Sequence, residues 1–284
     1  MYGYECITTY DYNTFYFRIY IMFKFENFVS ELDKFDIFEG MTSISAVIKS
    51  ISQQLSDRKI YAVLYDSERE NKKCRELSFI KRCSSGMGFD VIPVSHDKLS
   101  QLTSGDTHGG IIAICSKRTF PDNFVNKLTN ASFYALIDGI EDPYNFAYSV
   151  RSLYAAGVDG IILPPRNWMD YSGTVARSSA GTSELANIYV CDTLEAVKKF
   201  KKAGFVVVSA SIRDSVSIYE HDFTSPTLLV VGGEKRGISR KLLELSDANV
   251  RIEYGRDFMG SLPSASAVSV IAFEIARQKA LFNK

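Results

Sequence analysis

The pattern of hydrophobic and polar positions divides the chain into two stretches in which helices and strands alternate. In the first stretch, residues 38–120, apolar residues recur at helical spacing across Ser43–Leu55. Short apolar runs that are typical of buried strands follow at Ile60–Leu64, Asp90–Val94 and Gly110–Cys115. Further helices of this stretch are predicted at Glu70–Cys83 and Lys98–Thr103. Such alternation predicts helices packed on a sheet.

The second stretch, residues 132–284, has the same alternation with longer apolar runs. Strands are predicted at Phe133–Ile137, Gly160–Leu163, Ile188–Val190, Phe205–Ser209, Thr227–Val231 and Asn249–Ile252. Helices are predicted between and after them, at Phe146–Ala156, Thr193–Lys202, Ile238–Leu245 and Ala265–Phe282. Strands that are apolar throughout and covered by helices are typical of a mostly parallel sheet. We therefore expect an α/β fold, with residues 121–131 as a linker between two domains.

Residues 1–37 form an aromatic-rich N-terminal extension, which we expect to be a β-hairpin over 1–25 or a segment packed on the body. A start at Met22 or Met41 is an alternative. No apolar run reaches the length of a membrane span, and no signal peptide is evident. The five cysteines lack the CxxC spacing of a zinc or redox site, so the composition favours a reducing cytoplasm and predicts no metal.

The bulk composition is that of an ordinary globular protein, with 46% hydrophobic and 23% charged residues. The formal net charge is zero, so RNA could be held only by local basic patches. Three clusters are available, and for the middle one we favour a solvated helix face. They are Lys72, Lys73, Arg75, Lys81 and Arg82; Lys198, Lys199, Lys201 and Lys202; and Lys235, Arg236, Arg240 and Lys241.

Three segments carry candidate chemistry. In the first, a strand ends at Asp138, a turn follows at Asp142-Pro143, Asn145 is placed to cap the next helix, and Arg151 follows. This pattern fits a capped helix with a solvated arginine. It also fits a ligand site, because open α/β sheets bind ligands at the carboxyl ends of their strands.

The second and third segments are rich in small residues. An apolar strand runs into Gly232-Gly233-Glu234-Lys-Arg-Gly237, where glycines would let a ligand approach the backbone. This is neither a P-loop nor GxGxxG, and a plain strand–turn–helix connection remains an alternative. Residues 260–269 open a long C-terminal helix, and their small side chains favour either tight helix packing or space for an adenosine.

Taken in order, the three segments resemble the motifs of the SpoU/TrmH (SPOUT) RNA 2′-O-ribose methyltransferases. Asp142, Pro143, Asn145 and Arg151 match the first motif, with Ala147 at the usual glycine. Gly232, Glu234 and Gly237 match the second. Ser261, Leu262 and Ala267 match the third, but Pro263 and Ala265 replace its asparagine and serine, a change for which Ser264 or Ser266 could compensate. Three further stretches are similar to parts of family members. Arg177–Gly181 is similar to a Ser-Ala-Gly stretch of the methyltransferase domain, and Phe38–Gly40 and His108–Ile111 are similar to landmarks of an L30e-like domain.

The resemblance implies a parallel α/β sheet with a C-terminal trefoil knot over 132–284, preceded by an L30e-like RNA-binding domain over 38–120. It implies methyl transfer from S-adenosylmethionine to a ribose 2′-hydroxyl of rRNA or tRNA, and a homodimer packed through the C-terminal helix. The implied catalytic residues are Asn145, Arg151, Glu234 and Ser261. The implied cofactor-binding residues are Ala210, Gly232, Gly233, Gly237, Ile252, Leu262 and Ser266.

Arg151 would grip the RNA phosphate and orient the hydroxyl, because a guanidinium holds its proton too tightly to act as a base. Asn145 would position the arginine or ribose, Glu234 would orient the site, and Ser261 would donate a hydrogen bond. Three alternatives stay open. They are an RNA-binding homologue that Pro263 has impaired, a base-methylating SPOUT enzyme, and a dehydrogenase, which the missing glycine fingerprint disfavours.

Overall fold

A computed structural model of the protein describes residues 25–103, 108–128, 132–165 and 171–282. The hairpin expected over residues 1–25 lies outside this range, apart from Phe25. Phe25, Phe28 and Phe35 are buried against the strands of the first sheet, so the described end of the N-terminal extension packs on the body.

The first sheet has four strands in the order β1-β4-β2-β3, and only β2 and β3 run parallel. Its strands are β1 (Asp36–Glu39), β2 (Ile60–Asp66), β3 (Asp90–Val94) and β4 (Ile111–Cys115). The helices of this unit are α1 (Phe25–Val29), α2 (Gly40–Ser52), α3 (Cys74–Met87) and α4 (His96–Leu102). Strand β1 was not predicted, because Ile37 and Phe38 are too short an apolar run to stand out from the sequence.

The second sheet has seven strands in the order β7-β6-β5-β10-β8-β11-β9, and all its neighbours are parallel. Its strands are β5 (Phe133–Asp138), β6 (Gly160–Leu163), β7 (Ile188–Val190), β8 (Val206–Ala210), β9 (Val216–Ser217), β10 (Thr227–Gly232) and β11 (Ala248–Arg251). Its helices are α5 (Pro143–Ala155), α6 (Ser172–Ser178), α7 (Thr182–Leu185), α8 (Thr193–Lys202), α9 (Arg240–Leu245) and α10 (Ser264–Phe282). The predicted α/β fold with a mostly parallel sheet is confirmed.

Both faces of the second sheet are covered, which explains why its strands are apolar throughout. On one face, α5 and α10 pack together over the strands, and the Ser152 and Ser269 hydroxyls lie 2.6 Å apart at their contact. On the other face, α8 closes an aromatic cluster in which Phe124 stacks on Phe200 with ring centroids 4.8 Å apart.

Helix α10 was predicted to show apolar side chains on several faces, and three of them pack in the core of the chain itself. Val268, Ile271 and Ile275 are buried in the core, whereas Phe273 is 53% exposed. The side chain of Leu281 lies outside the described residues. Among the helices described, none combines the length and apolar character needed to cross a membrane.

A buried ion-pair network joins the two sheets. Arg58 donates to Asp36 Oδ2 at 2.5 Å and to Glu184 Oε2 at 2.8 Å, and all three side chains are nearly inaccessible. Burial raises the pKa of Asp36 although Arg58 lies against it. Arg118 adds hydrogen bonds to the carbonyls of Leu55 and Ser183. Because a buried charge left without its partner is costly, this network holds the first sheet firmly against the second.

Candidate active site

The carboxyl ends of three neighbouring strands meet at one edge of the second sheet. In the register of the sheet, Ala210 at the end of β8 lies beside Val250 of β11, and Gly232 of β10 lies beside Asp138 of β5. Ile252 follows directly after β11. The predicted cofactor positions Ala210, Gly232 and Ile252 therefore lie at the same edge, where open parallel sheets bind ligands.

The first segment starts helix α5 with a cap other than the one predicted. Asp142 is the N-cap, and its Oδ1 accepts the backbone N–H of Asn145 at 2.8 Å, while Pro143 takes the first helical position. Asn145 is thus not the cap, because an aspartate three residues earlier already satisfies the free amide. The Asn145 side chain is left free to reach across to the second segment.

The second segment is fastened to the end of strand β5. Gly233 N–H donates to the Asp138 carbonyl at 3.0 Å, and Ser239 N–H donates to Asp138 Oδ2 at 3.2 Å. A side chain on Gly232 would overlap the backbone of Gly237, and one on Gly233 would overlap the carbonyl of Gly139. The tight fold of the loop itself therefore requires glycine at both positions.

Glu234 connects all three segments. Its Oε1 accepts Asn145 Nδ2–H at 2.9 Å and also accepts the hydroxyl of Ser264, the first residue of α10. Ser264 was not among the predicted site residues. Its signal in the sequence was a hydroxyl directly after Pro263, at the point where the motif loses its usual asparagine. The Asn145 amide and the Ser264 hydroxyl thus fix the position of one carboxylate oxygen at the carboxyl edge of the sheet.

Arg151 does not join this cluster. It is exposed on α5, six residues after Asn145, which corresponds to about 9 Å along a helix and about a third of a turn around it. The Arg151 side chain has no hydrogen bond or ion pair within the described residues. Its guanidinium is therefore available to a group that comes from outside the chain.

The third segment lies partly open to solvent. Leu262 is half-buried and its N–H donates to the Tyr254 hydroxyl at 3.2 Å, whereas Ser261 and Ser266 are exposed. Ser266 N–H donates to the Pro263 carbonyl at 2.9 Å, so Pro263 helps to start α10. The structure does not bring the Ser261 hydroxyl into contact with Asn145 or Glu234.

A cleft separates the first segment from the second. Its lining residues are Asp138, Gly139, Glu141, Asp142, Pro143, Asn145, Glu234, Lys235, Arg236, Gly237 and Ser239. Ala210, Ile252 and Leu262 lie outside this lining. Lys235 and Arg236 are exposed, and Lys235 approaches Glu141 at 3.9 Å. In the part of the chain that is described, no group of three or more His, Cys, Asp or Glu side chains could hold a metal ion.

The fold and this cleft define an α/β enzyme whose ligand site lies at the carboxyl edge of a parallel sheet. Residues 132–273, half of the chain, match the model of the SpoU rRNA methylase family. The chain belongs to that family, and the predicted class of RNA methyltransferase is confirmed.

Individual relatives agree with this assignment. A 23S rRNA (guanosine-2′-O-)-methyltransferase RlmB from Shewanella oneidensis is 24% identical over 87% of this chain and 99% of its own. An uncharacterised tRNA/rRNA methyltransferase from Mycolicibacterium gilvum is 30% identical over 68% of this chain and 63% of its own. The crystal structure of the SpoU methyltransferase AviRb from Streptomyces viridochromogenes, in complex with AdoMet, superposes with a TM-score of 0.71 at 24% identity, over 87% of this chain and 91% of the other.

Proposed function

We propose that this protein transfers a methyl group from S-adenosylmethionine to a ribose 2′-hydroxyl of ribosomal RNA. The observation that carries the proposal is the Glu234 cluster, in which one carboxylate joins Asn145 of the first motif to Ser264 beside the third. Family membership and the name of the Shewanella relative support ribosomal RNA as the substrate.

The sheet edge fits the cofactor. In the register of the sheet, the adjacent strands β8, β10 and β11 end within two residues of one another. Ala210 and Gly232 are the last residues of β8 and β10, and Ile252 follows β11. Together with Gly233, Gly237, Leu262 and Ser266, these residues would hold the adenosine mainly through backbone groups. When bound, S-adenosylmethionine supplies a methyl group that its sulfonium charge already activates, so the reaction needs no metal.

The chain's own residues would position the acceptor. Glu234, fixed by Asn145 and Ser264, would accept a hydrogen bond from the ribose and orient it in the cleft. Ser261, exposed on the third segment, would donate a hydrogen bond to the bound RNA. Alignment of two reactants in this way can lower a barrier by about 7–11 kcal/mol in the best intramolecular cases.

Arg151 would bind the phosphate next to the target ribose. Its guanidinium is exposed, and its planar fork matches two phosphate oxygens. Because arginine keeps its proton, it would act by placing the phosphate and polarising the 2′-hydroxyl.

The finer architecture belongs to the same proposal. Residues 38–120 would form the L30e-like RNA-binding domain, 121–131 the linker and 132–284 the catalytic domain, and the protein would act in the cytoplasm. A trefoil knot in the catalytic domain is supported by the path of the chain. After β11, on the far side of β8, the chain returns to pack α10 on α5 and against β10.

We propose a homodimer as the active form. Tyr144, Tyr148 and Arg151 follow one another along the exposed face of α5, and Phe273 is exposed on the neighbouring helix α10. Exposed aromatic side chains on each of two helices that pack together favour a second subunit that covers them. In that arrangement, Arg151 would lie at the subunit boundary.

Methyl transfer to isolated 23S rRNA, measured with labelled S-adenosylmethionine, tests the proposal. The wild-type protein should incorporate label. Arg151→Ala should lose at least about 100-fold in rate, with cofactor affinity and melting temperature unchanged, because the arginine faces RNA. Arg151→Lys should also be poor, since lysine lacks the fork that matches phosphate. Full activity in Arg151→Ala would contradict the role, and no incorporation by the wild type would contradict the function.

A further inference from the structure

Helix α3 has an exposed face that the chemistry above does not use. Arg75, Phe79 and Arg82 follow one another at spacings of four and three residues, so they form one stripe along the helix. All three are exposed, whereas Leu77 and Ile80 on the opposite face are buried in the core of the first sheet. We call Arg75, Phe79 and Arg82 the α3 stripe.

The ring at the centre of the stripe is open to an incoming group. Phe79 is 38% exposed. Of the other exposed positions on α3 outside the stripe, Cys74, Ser78, Ser85 and Gly86 carry small side chains. Lys81 is also exposed, and its Nζ lies near Glu70 and the Tyr65 ring. A side chain added at Gly86, about two turns further along α3, would meet no atom within 4 Å, so the helix surface is open there as well.

The cations that flank the ring are unpaired, unlike others of the same cluster. Lys73 pairs with Glu76 at 3.2 Å, and Lys81 approaches Glu70 at 3.6 Å. Arg75 and Arg82 make no ion pair with any carboxylate that the structure describes. Of the five predicted basic residues, Lys73 and Lys81 are thus paired, whereas Lys72, Arg75 and Arg82 have no ion pair within the described residues.

We propose that the α3 stripe binds an unpaired segment of the RNA substrate. A base stacks on Phe79, and Arg75 and Arg82 hold the phosphates on either side. Every base offers a flat face to an aromatic ring, so the contact needs no particular sequence, and guanidinium groups match phosphate geometry. The stripe selects single strands, because a duplex keeps its bases stacked inside. The inference rests on the proposed function, since the RNA that fills the stripe is the substrate to be methylated.

Binding of two labelled probes tests the stripe in the full-length protein. The probes are a twelve-nucleotide uridine strand and a duplex RNA of the same length. Phe79→Leu should weaken single-strand binding by about tenfold, while Phe79→Trp should keep it, because leucine retains apolar bulk but lacks an aromatic face. The affinity of both variants for the duplex should equal that of the wild-type protein. Unchanged single-strand affinity in Phe79→Leu, or an equal loss on both probes, would overturn the proposal.

The charged part of the stripe has its own readout. Replacing Arg75 and Arg82 together with glutamine should lower the slope of log affinity against log salt by about 1–2. The matched control removes two charges from α8 by Lys198→Gln and Lys202→Gln and should leave the slope unchanged. Equal effects in the two double variants would contradict a specific contact.

Activity separates failure of this inference from failure of the proposed function. Phe79→Leu should raise the KM for 23S rRNA and keep kcat, since the stripe lies away from the Glu234 cluster. If the wild type transfers methyl groups and Phe79→Leu matches it in KM and kcat, the proposed role of the α3 stripe is wrong and the proposed function stands. If the wild type transfers none, the proposed function fails. A change of oligomeric state in Phe79→Leu would identify the stripe as a subunit contact and overturn it.

Discussion

At the scale of single residues, one carboxylate oxygen organises the site. Glu234 is exposed, so its position depends on the groups that hold it, and these are the Asn145 amide and the Ser264 hydroxyl. Pro263 deprives the third motif of its usual asparagine. The next residue, Ser264, supplies a hydroxyl donor, while the Pro263 carbonyl accepts the backbone N–H groups of Ser266 and Ala267 in the first turn of α10. The departure from the motif is thus accompanied by a compensating contact.

Ser264→Ala should slow methyl transfer about tenfold, because hydrogen bonds to charged groups contribute about 1.5–3 kcal/mol. Ser264→Thr keeps the hydroxyl and should restore most of the rate. The KM for RNA and the melting temperature should change little in either variant, since Ser264 acts through Glu234. Steady-state kinetics of the two variants would reject this role if alanine were as active as serine, or if threonine were as poor as alanine.

At the scale of elements, the loop between β10 and α9 is shaped by close backbone contacts. Gly232 lies against Gly237, and Gly233 lies against Gly139, so this loop and the one after β5 fit together only without side chains. The two loops therefore pack closely against each other where they line the cleft.

Gly232→Val should destabilise the protein by about 2 kcal/mol and abolish cofactor binding, since the added side chain overlaps Gly237 and displaces the loop. Gly255→Ala is the matched control, because a side chain there meets no atom within 4 Å. Thermal unfolding and calorimetric titration with S-adenosylmethionine measure both effects. Tight cofactor binding by Gly232→Val would show that the loop does not form the site.

The second sheet could be predicted from the sequence because most of its strands are apolar on both faces. Two strands, β1 of the first sheet and β9 of the second, were not predicted because each lacks such an apolar run. Strand β1 has a buried Asp36 that is tolerated only through Arg58, a partner 22 residues away, and β9 comprises only Val216–Ser217. In the site, motif spacing placed Asn145 and Glu234 correctly at one sheet edge. The contact between Glu234 and Ser264 could not be predicted, because it depends on how α10 packs against α5.

At the scale of the whole molecule, the two sheets form one body. Arg58, Asp36 and Glu184 are buried at their junction, and the Gly181 turn lies so close to Ala46 that a side chain would overlap it. The first sheet is therefore held in a fixed position relative to the cleft. RNA that contacts both would be aligned by the protein's shape, without a hinge motion.

The exposed aromatic surface of α5 and α10 predicts the assembly. Phe273→Glu should convert a dimer into a monomer, because a charge at the centre of an apolar contact is costly to bury. Val125→Glu is the control and should remain dimeric, since Val125 is exposed beside the aromatic cluster on the opposite face of the second sheet. Multi-angle light scattering at micromolar concentration distinguishes the two. A monomeric wild type would contradict the proposed dimer.

The central claim is that the methyl group reaches a ribose 2′-hydroxyl, and alkaline hydrolysis of the labelled product tests it directly. Alkali cleaves RNA through attack by the 2′-hydroxyl on the adjacent phosphate, so a methylated ribose protects its own linkage. After incubation of the protein with 23S rRNA and methyl-labelled S-adenosylmethionine, followed by complete alkaline digestion, the account predicts label in an alkali-resistant dinucleotide. Label in mononucleotides would place the methyl group on a base and contradict it.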